Sequence, residues 1–224
     1  MKQYWNMDEI SDGKRYSSKD LVHIGCDGCK GNADCCRLTA DTIILDPYDM
    51  YELQVATGYT FEKLYGAYLG LRAVDGVILP FLCKNENTGA CAFLNADGRC
   101  SIHKHRPGFC RLFPLGRIYE KDSFSYFLQV NECPCAVRPK TEISKWLEIP
   151  NIKTYENYIL KWNRILQKEQ ERASEMLAEE NFEIKAREIS LRILKIFFIA
   201  PFDINTDFYA QFEERIKLMG DNET

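Results

Sequence analysis

Sulfur is spread unevenly along this chain, and that sets the terms on which it can fold. All ten cysteines lie between Cys26 and Cys135, and the stretch CDGCKGNADCC places four of them within residues 26–36. Core thiols do not gather in loops rich in Gly and Asp, so these are not simply small buried hydrophobes. The opening MKQYWNMDEISDGKRYSS carries Asp8, Glu9 and Asp12 where a secretory signal needs an unbroken apolar run, so the protein is expected to be cytoplasmic. Thiols there are kept reduced, which makes metal the better reading than a disulfide framework.

The rest of the composition suits an ordinary folded unit. With 224 residues, 46% of them hydrophobic, the chain can bury a core. A formal net charge of -4 argues against a dedicated nucleic-acid binder, which needs a surplus of Lys and Arg to neutralise phosphates. What charge argument there is for such a partner rests on a local group: Lys30, Arg37, Arg99, Lys104 and Arg117, with Arg106 and Arg111. The greasiest segment, ISLRILKIFFIAPF, is interrupted by Arg192 and Lys195 and stopped by Pro201, short of the roughly 20 apolar residues that span a bilayer. It reads as a buried helix, with no membrane partner.

Three regions follow from the patterning: a loose polar arm over residues 1–20, a cysteine-rich domain over 21–139, and a helical part over 140–224 packed on it. In TADTIILDPYDM a short strand should run into a helix capped by Asp46, with Pro47 at its first position and Gly58 beyond its end. Thr60 should cap a second helix through FEKLYGAYLG. Hairpins are signalled at Asp75-Gly76, at Asp97-Gly98 with Cys91 and Cys100 on its two arms, and at Lys121 to Ser123. From Ile152 the pattern changes, because Tyr155, Ile159, Trp162, Leu166, Ala173 and Met176 recur at three- and four-residue steps or their multiples, as on one face of a long helix. Further helices are expected over residues 182–199 and after Asn205, with Phe208 and Phe212 as core. The fold class is therefore α+β: a small metal-stapled domain of short helices and β-hairpins with a helical C-terminal part.

Zinc, iron–sulfur clusters and copper(I) all favour thiolate ligands. Cys26-x2-Cys29 is the common chelating pair, and it is joined by Cys35, Cys36, Cys91, Cys100, Cys110 and Cys133. Adjacent side chains diverge on a strand or a helix, so Cys35 and Cys36 are expected to serve two sites, or two irons of one cluster. Cys83 and Cys135 read as spares. In IHKHRPGFCRLFP, His103 could ligate, shuttle a proton or bond to backbone, whereas His105 reads as exposed. Arg106 and Arg111 could offset the formal charge of about -2 on a four-thiolate zinc site or a [4Fe-4S] cluster, a charge costly to bury alone, or bind a substrate anion. Structural metal binding contributes about 10–16 kcal/mol in model peptides, as much as the roughly 5–15 kcal/mol stability of a whole domain. The metal-free cysteine-rich portion should be largely unfolded.

The pattern C-x2-C-x5-C-C, then C-x-F-L-x5-C-S-I-H-x2-R-P-x2-C-R-x-F-P, then E-C-P resembles the YkgJ-type cysteine-cluster family, described as zinc- or iron-chelating. It lands on Cys26, Cys29, Cys35, Cys36, Cys91, Cys100, Cys110 and Cys133, beside His103, Arg106 and Arg111, and leaves out Cys83 and Cys135. The resemblance extends distantly to flagellin lysine-N-methylases, which implies an iron–sulfur centre and S-adenosylmethionine-dependent methylation. The expected function is a metal-binding protein holding iron–sulfur cluster(s), 4Fe-4S in type, with a redox or protein-modifying role toward a protein substrate or partner. The alternative is a zinc-stabilised interaction module without catalysis.

Overall fold

The computed structural model describes residues 7–24, 33–130, 132, 139–176 and 182–220. It opens with a single helical turn, α1 (Met7–Ile10), after which the chain runs along a hairpin from the middle of the sequence. Ser11 pairs with Gln129, and the Tyr16 and Tyr126 amides each donate to the other's carbonyl at 2.9 Å. What the sequence suggested as a loose polar arm is, from Met7 onward, held by backbone hydrogen bonds.

Strand β1 (Leu21–His23) and helix α2 (Asp34–Leu38) come next, then a 3-10 turn at Ala40–Thr42 and helix α3 (Pro47–Thr57). The expected strand before α3 shrinks to a single bridge between Ile44 and Phe81, because the 3-10 turn consumes the residues before it. Helix α3 forms as its sequence dictates. The Asp46 carboxylate accepts the Asp49 N–H, the Asp49 carboxylate accepts the Asp46 N–H, both at 3.0 Å, and Gly58 closes the helix with φ of 68°. Helix α4 (Phe61–Leu64) is one turn long, not the longer helix expected, because Gly66 at φ of 87° redirects the chain into a strand.

Strands β2 (Leu69–Val74) and β3 (Val77–Leu82) form the hairpin at Asp75-Gly76, whose φ values of 47° and 86° are those of a twist-matched two-residue turn. The Asp97-Gly98 turn is present, but its arms meet at one bridge, Leu94 with Cys100. Helix α5 (Gly108–Leu112) then leads into the third hairpin, β4 (Leu115–Tyr119) with β5 (Phe124–Leu128). Strand β6 (Lys140–Glu142) returns to pair with β1 in the register Leu21–Glu142, Val22–Thr141 and His23–Lys140. Helix α6 (Ile143–Leu147) follows directly.

Three helices complete the α+β fold: α7 (Ile152–Glu175), α8 (Phe182–Leu194), which passes into a π turn at Lys195–Ile199, and α9 (Phe208–Gly220). Helix α7 buries Tyr155, Tyr158, Ile159, Trp162 and Ala173, and Trp162 meets Phe197 and Phe198 edge-on at 5.2 and 5.9 Å. Ser190 of α8 accepts the Ile78 N–H of β3 at 3.0 Å, so the helices pack on the first hairpin. Tyr48 at the start of α3 is surrounded by Tyr155, Tyr158, Phe208 and Tyr209, and its N–H donates to the Tyr158 hydroxyl at 3.0 Å. One apolar core thus runs from Val22 to Met219, across the junction expected near residue 140. Among the described residues no helix is long and apolar enough to cross a membrane.

Candidate metal centre

Five of the eight candidate thiol ligands are described, and all five face one cavity of about 570 Å³. Three separate stretches bring them there. Helix α2 carries Cys35 and Cys36, the short bridge between Leu94 and Cys100 sets Cys100 beside Cys91, and α5 delivers Cys110. The Cys91 N–H donates to the Cys36 carbonyl at 2.7 Å, which ties the first two stretches together by backbone. Cys26, Cys29 and Cys133, and the spare Cys135, lie outside the described residues.

The twin cysteines do not diverge to separate pockets. Both line this cavity, and the Cys36 thiol donates to the Cys35 sulfur, which brings Cys35 down to about 7. The same bond, with burial, pushes Cys36 up. Burial raises Cys91 and Cys100 as well, and it pushes Cys110 well above the ordinary thiol value, with the neighbouring Cys91 adding to it. The donor set is the soft one that zinc and iron accept. Among the described residues no three His, Cys, Asp or Glu side chains converge closely enough to hold an ion by themselves.

Of the two candidate arginines, Arg106 borders the cavity, as Arg99 and Lys145 do, and Arg111 does not. Arg106 donates to the His103 carbonyl at 2.8 Å and to Glu148 at 2.9 Å, and its charge favours the ionised form of Cys100. It also donates to Nδ1 of His103 at 3.3 Å, so that nitrogen is an acceptor and His103 is the neutral tautomer carrying its proton on Nε2. His103 lines the cavity, and burial, then Arg106, holds its pKa low. His105, expected to be exposed, is half-buried and donates to Glu52 at 3.1 Å.

Arg111 is 3% exposed and turned toward backbone. Its guanidinium donates to the carbonyls of Arg106, Leu147, Glu148 and Lys104 and to the Glu52 carboxylate, so it knots the loop before α5 to the end of α6. That clamp removes it from any surface basic patch. Cys83 is half-buried outside the cavity wall, with its N–H donating to the Tyr68 carbonyl at 2.8 Å. Sequence reasoning passed over Asp49, which is 2% exposed and accepts the Gly108 N–H at 2.7 Å. Its position three residues after an N-cap signalled only a local capping role.

No curated protein and no solved structure matches this chain. Residues 25–145, just over half of it, match the family CxxCxxCC, whose description reads "Putative zinc- or iron-chelating domain". Those residues include every thiol of the cavity wall, and the chain belongs to the CxxCxxCC family.

Proposed function

We propose that this protein holds an iron–sulfur centre through the eight thiols of the family pattern, Cys26, Cys29, Cys35, Cys36, Cys91, Cys100, Cys110 and Cys133. The observation that carries the reading is that five of these, from three distant stretches, wall one cavity. Two of the other three are joined to that wall by short stretches of chain: Cys133 directly follows Glu132, which lines the cavity, and Cys29 precedes Ala33, which also lines it, by four residues. At most about 14 Å of chain separates Cys29 from that wall. The cavity, at about 570 Å³, is wider than a single ion needs, which favours a multi-atom centre over a lone zinc.

Arg106, with Arg99 and Lys145 on the same cavity wall, is placed to offset the centre's negative charge, and His103 supplies an N–H there. An iron–sulfur centre supplies one-electron chemistry when bound, which supports a redox role or a part in modifying a protein partner. Anaerobic purification followed by iron, zinc and acid-labile sulfide analysis tests this. A brown protein with iron and sulfide, and an electron paramagnetic resonance signal on reduction, is expected. Stoichiometric zinc in a colourless protein would overturn the iron–sulfur reading in favour of a zinc-stabilised interaction module.

A further inference from the structure

Helix α5 has no cap of its own. Pro107 stands at its N-cap position and makes no side-chain bond, yet the Gly108 N–H is not orphaned: it donates at 2.7 Å to a carboxylate oxygen of Asp49, a residue of α3. The other oxygen of that carboxylate accepts the Asp46 N–H, so both lone-pair sites point at fixed backbone donors. Tyr155 crowds the same glycine. A Cβ at residue 108 would come within 2.6 Å of the Tyr155 hydroxyl, so only glycine lets the amide reach Asp49. Two residues on, Cys110 presents its thiol to the cavity.

Helix α3 is itself set among the C-terminal helices by Tyr48 and by Gln54, whose side chain accepts the Phe202 N–H at 3.0 Å. The Asp49–Gly108 bond is therefore a polar link, beside that of Arg111 to Glu52, between that helical body and the segment carrying Cys110. Metal–ligand distances tolerate only about 0.2 Å, and losing an outer partner of a ligand typically costs 10–100-fold in metal affinity. We infer that Asp49 is a positioning residue for Cys110, through which the helical C-terminal part holds one thiol at the metal; this rests on the reading of Cys110 as a ligand.

The experiment is dialysis of anaerobically purified full-length protein against increasing EDTA, with retained metal per chain measured by mass spectrometry. Asp49→Ala should lose half its metal at a 10–100-fold lower EDTA concentration than wild type, and Asp49→Asn, which keeps one acceptor oxygen, should fall between. Ser190→Ala removes the bond from a buried side chain of α8 to β3, outside both α3 and α5, and should stay within about threefold of wild type. Equal retention by Asp49→Ala and wild type, or an equal loss in Ser190→Ala, would overturn the inference alone. Should Asp49→Ala fail to fold, Asp49→Asn decides, and wild-type retention there overturns it. Cys110→Ser retaining metal as wild type does would remove the ligand reading, and the inference with it.

Discussion

Replacing Arg111 by Met should be among the most damaging changes this protein can undergo outside its cysteines. The guanidinium is 3% exposed, and its partner Glu52 is 12% exposed at the side chain, so water replaces little of what is lost. Hydrogen bonds to a charged group contribute roughly 1.5–3 kcal/mol each. The two with short, well-formed distances, to the Arg106 carbonyl at 2.9 Å and to Glu52 at 3.0 Å, account for most of the effect. The bonds to Leu147 and Glu148 at 3.4 and 3.3 Å add less. Glu52 keeps His105, which limits the penalty for stranding its charge. Allowing for relaxation, Arg111→Met should cost about 4 kcal/mol, and Arg111→Lys, which restores a charge but not the fork, about 2–3 kcal/mol. In metal-saturated urea denaturation, with a slope near 3 kcal/mol per molar for a chain of this size, the Met variant's midpoint should fall by about 1.3 M. If Arg111 served only to balance charge at the metal, Lys would substitute fully. A Lys variant with the wild-type midpoint, or a Met variant within about 1 kcal/mol, would refute the clamp.

Gly108→Ala should destabilise the protein by about 1–3 kcal/mol in thermal or urea unfolding, since the new methyl would sit 2.6 Å from the Tyr155 hydroxyl. The Asp20 carboxylate accepts the Ser17 N–H at 2.6 Å and its hydroxyl at 2.9 Å, and the backbone bond holds its pKa below the usual carboxylate value. Its contribution is therefore present above the unfolded-state pKa and lost as pH falls through the folded one. Asp20→Asn should lower stability at neutral pH and flatten the acid limb of a stability–pH profile below about pH 4, meeting the wild-type curve at the acid end. Chelation of the metal should abolish protease resistance across residues 33–130, read by limited proteolysis and mass spectrometry, because the metal contributes about as much as the whole fold's stability.

Much of this fold is written locally. The capping box of α3 needs only Asp46, Pro47 and Asp49, the β2–β3 turn only Asp75-Gly76, and α7 only its apolar spacing, and each forms where its residues indicate. What escapes the sequence is set at a distance. Strands β1 and β6 are three residues each, too short to show alternation, and their register is fixed by the elements around them. The early strand and the Asp97-Gly98 hairpin dwindle to single bridges for a related reason: a turn signal says where a chain reverses, not how far its arms stay paired. At the candidate site, the thiols that share a cavity were legible from type and spacing. The division between the two arginines was not. Arg106 and Arg111 carry the same charge beside the same cysteine, and only the backbone carbonyls around Arg111 distinguish a clamp from a cation at the cavity wall. Asp49 was hidden because one carboxylate serves its own helix and a distant one at once.

Thiol alkylation of the native protein, before and after chelation, puts shared coordination to the test residue by residue. Anaerobically purified protein is treated with N-ethylmaleimide, and each cysteine's labelling is read by mass spectrometry. Cys35, Cys36, Cys91, Cys100 and Cys110 should be protected together and become reactive together as metal leaves, while Cys83 labels at a rate that metal does not change. Labelling of those five that is indifferent to chelation, or a folded protein carrying neither iron nor zinc, would contradict a metal held between them.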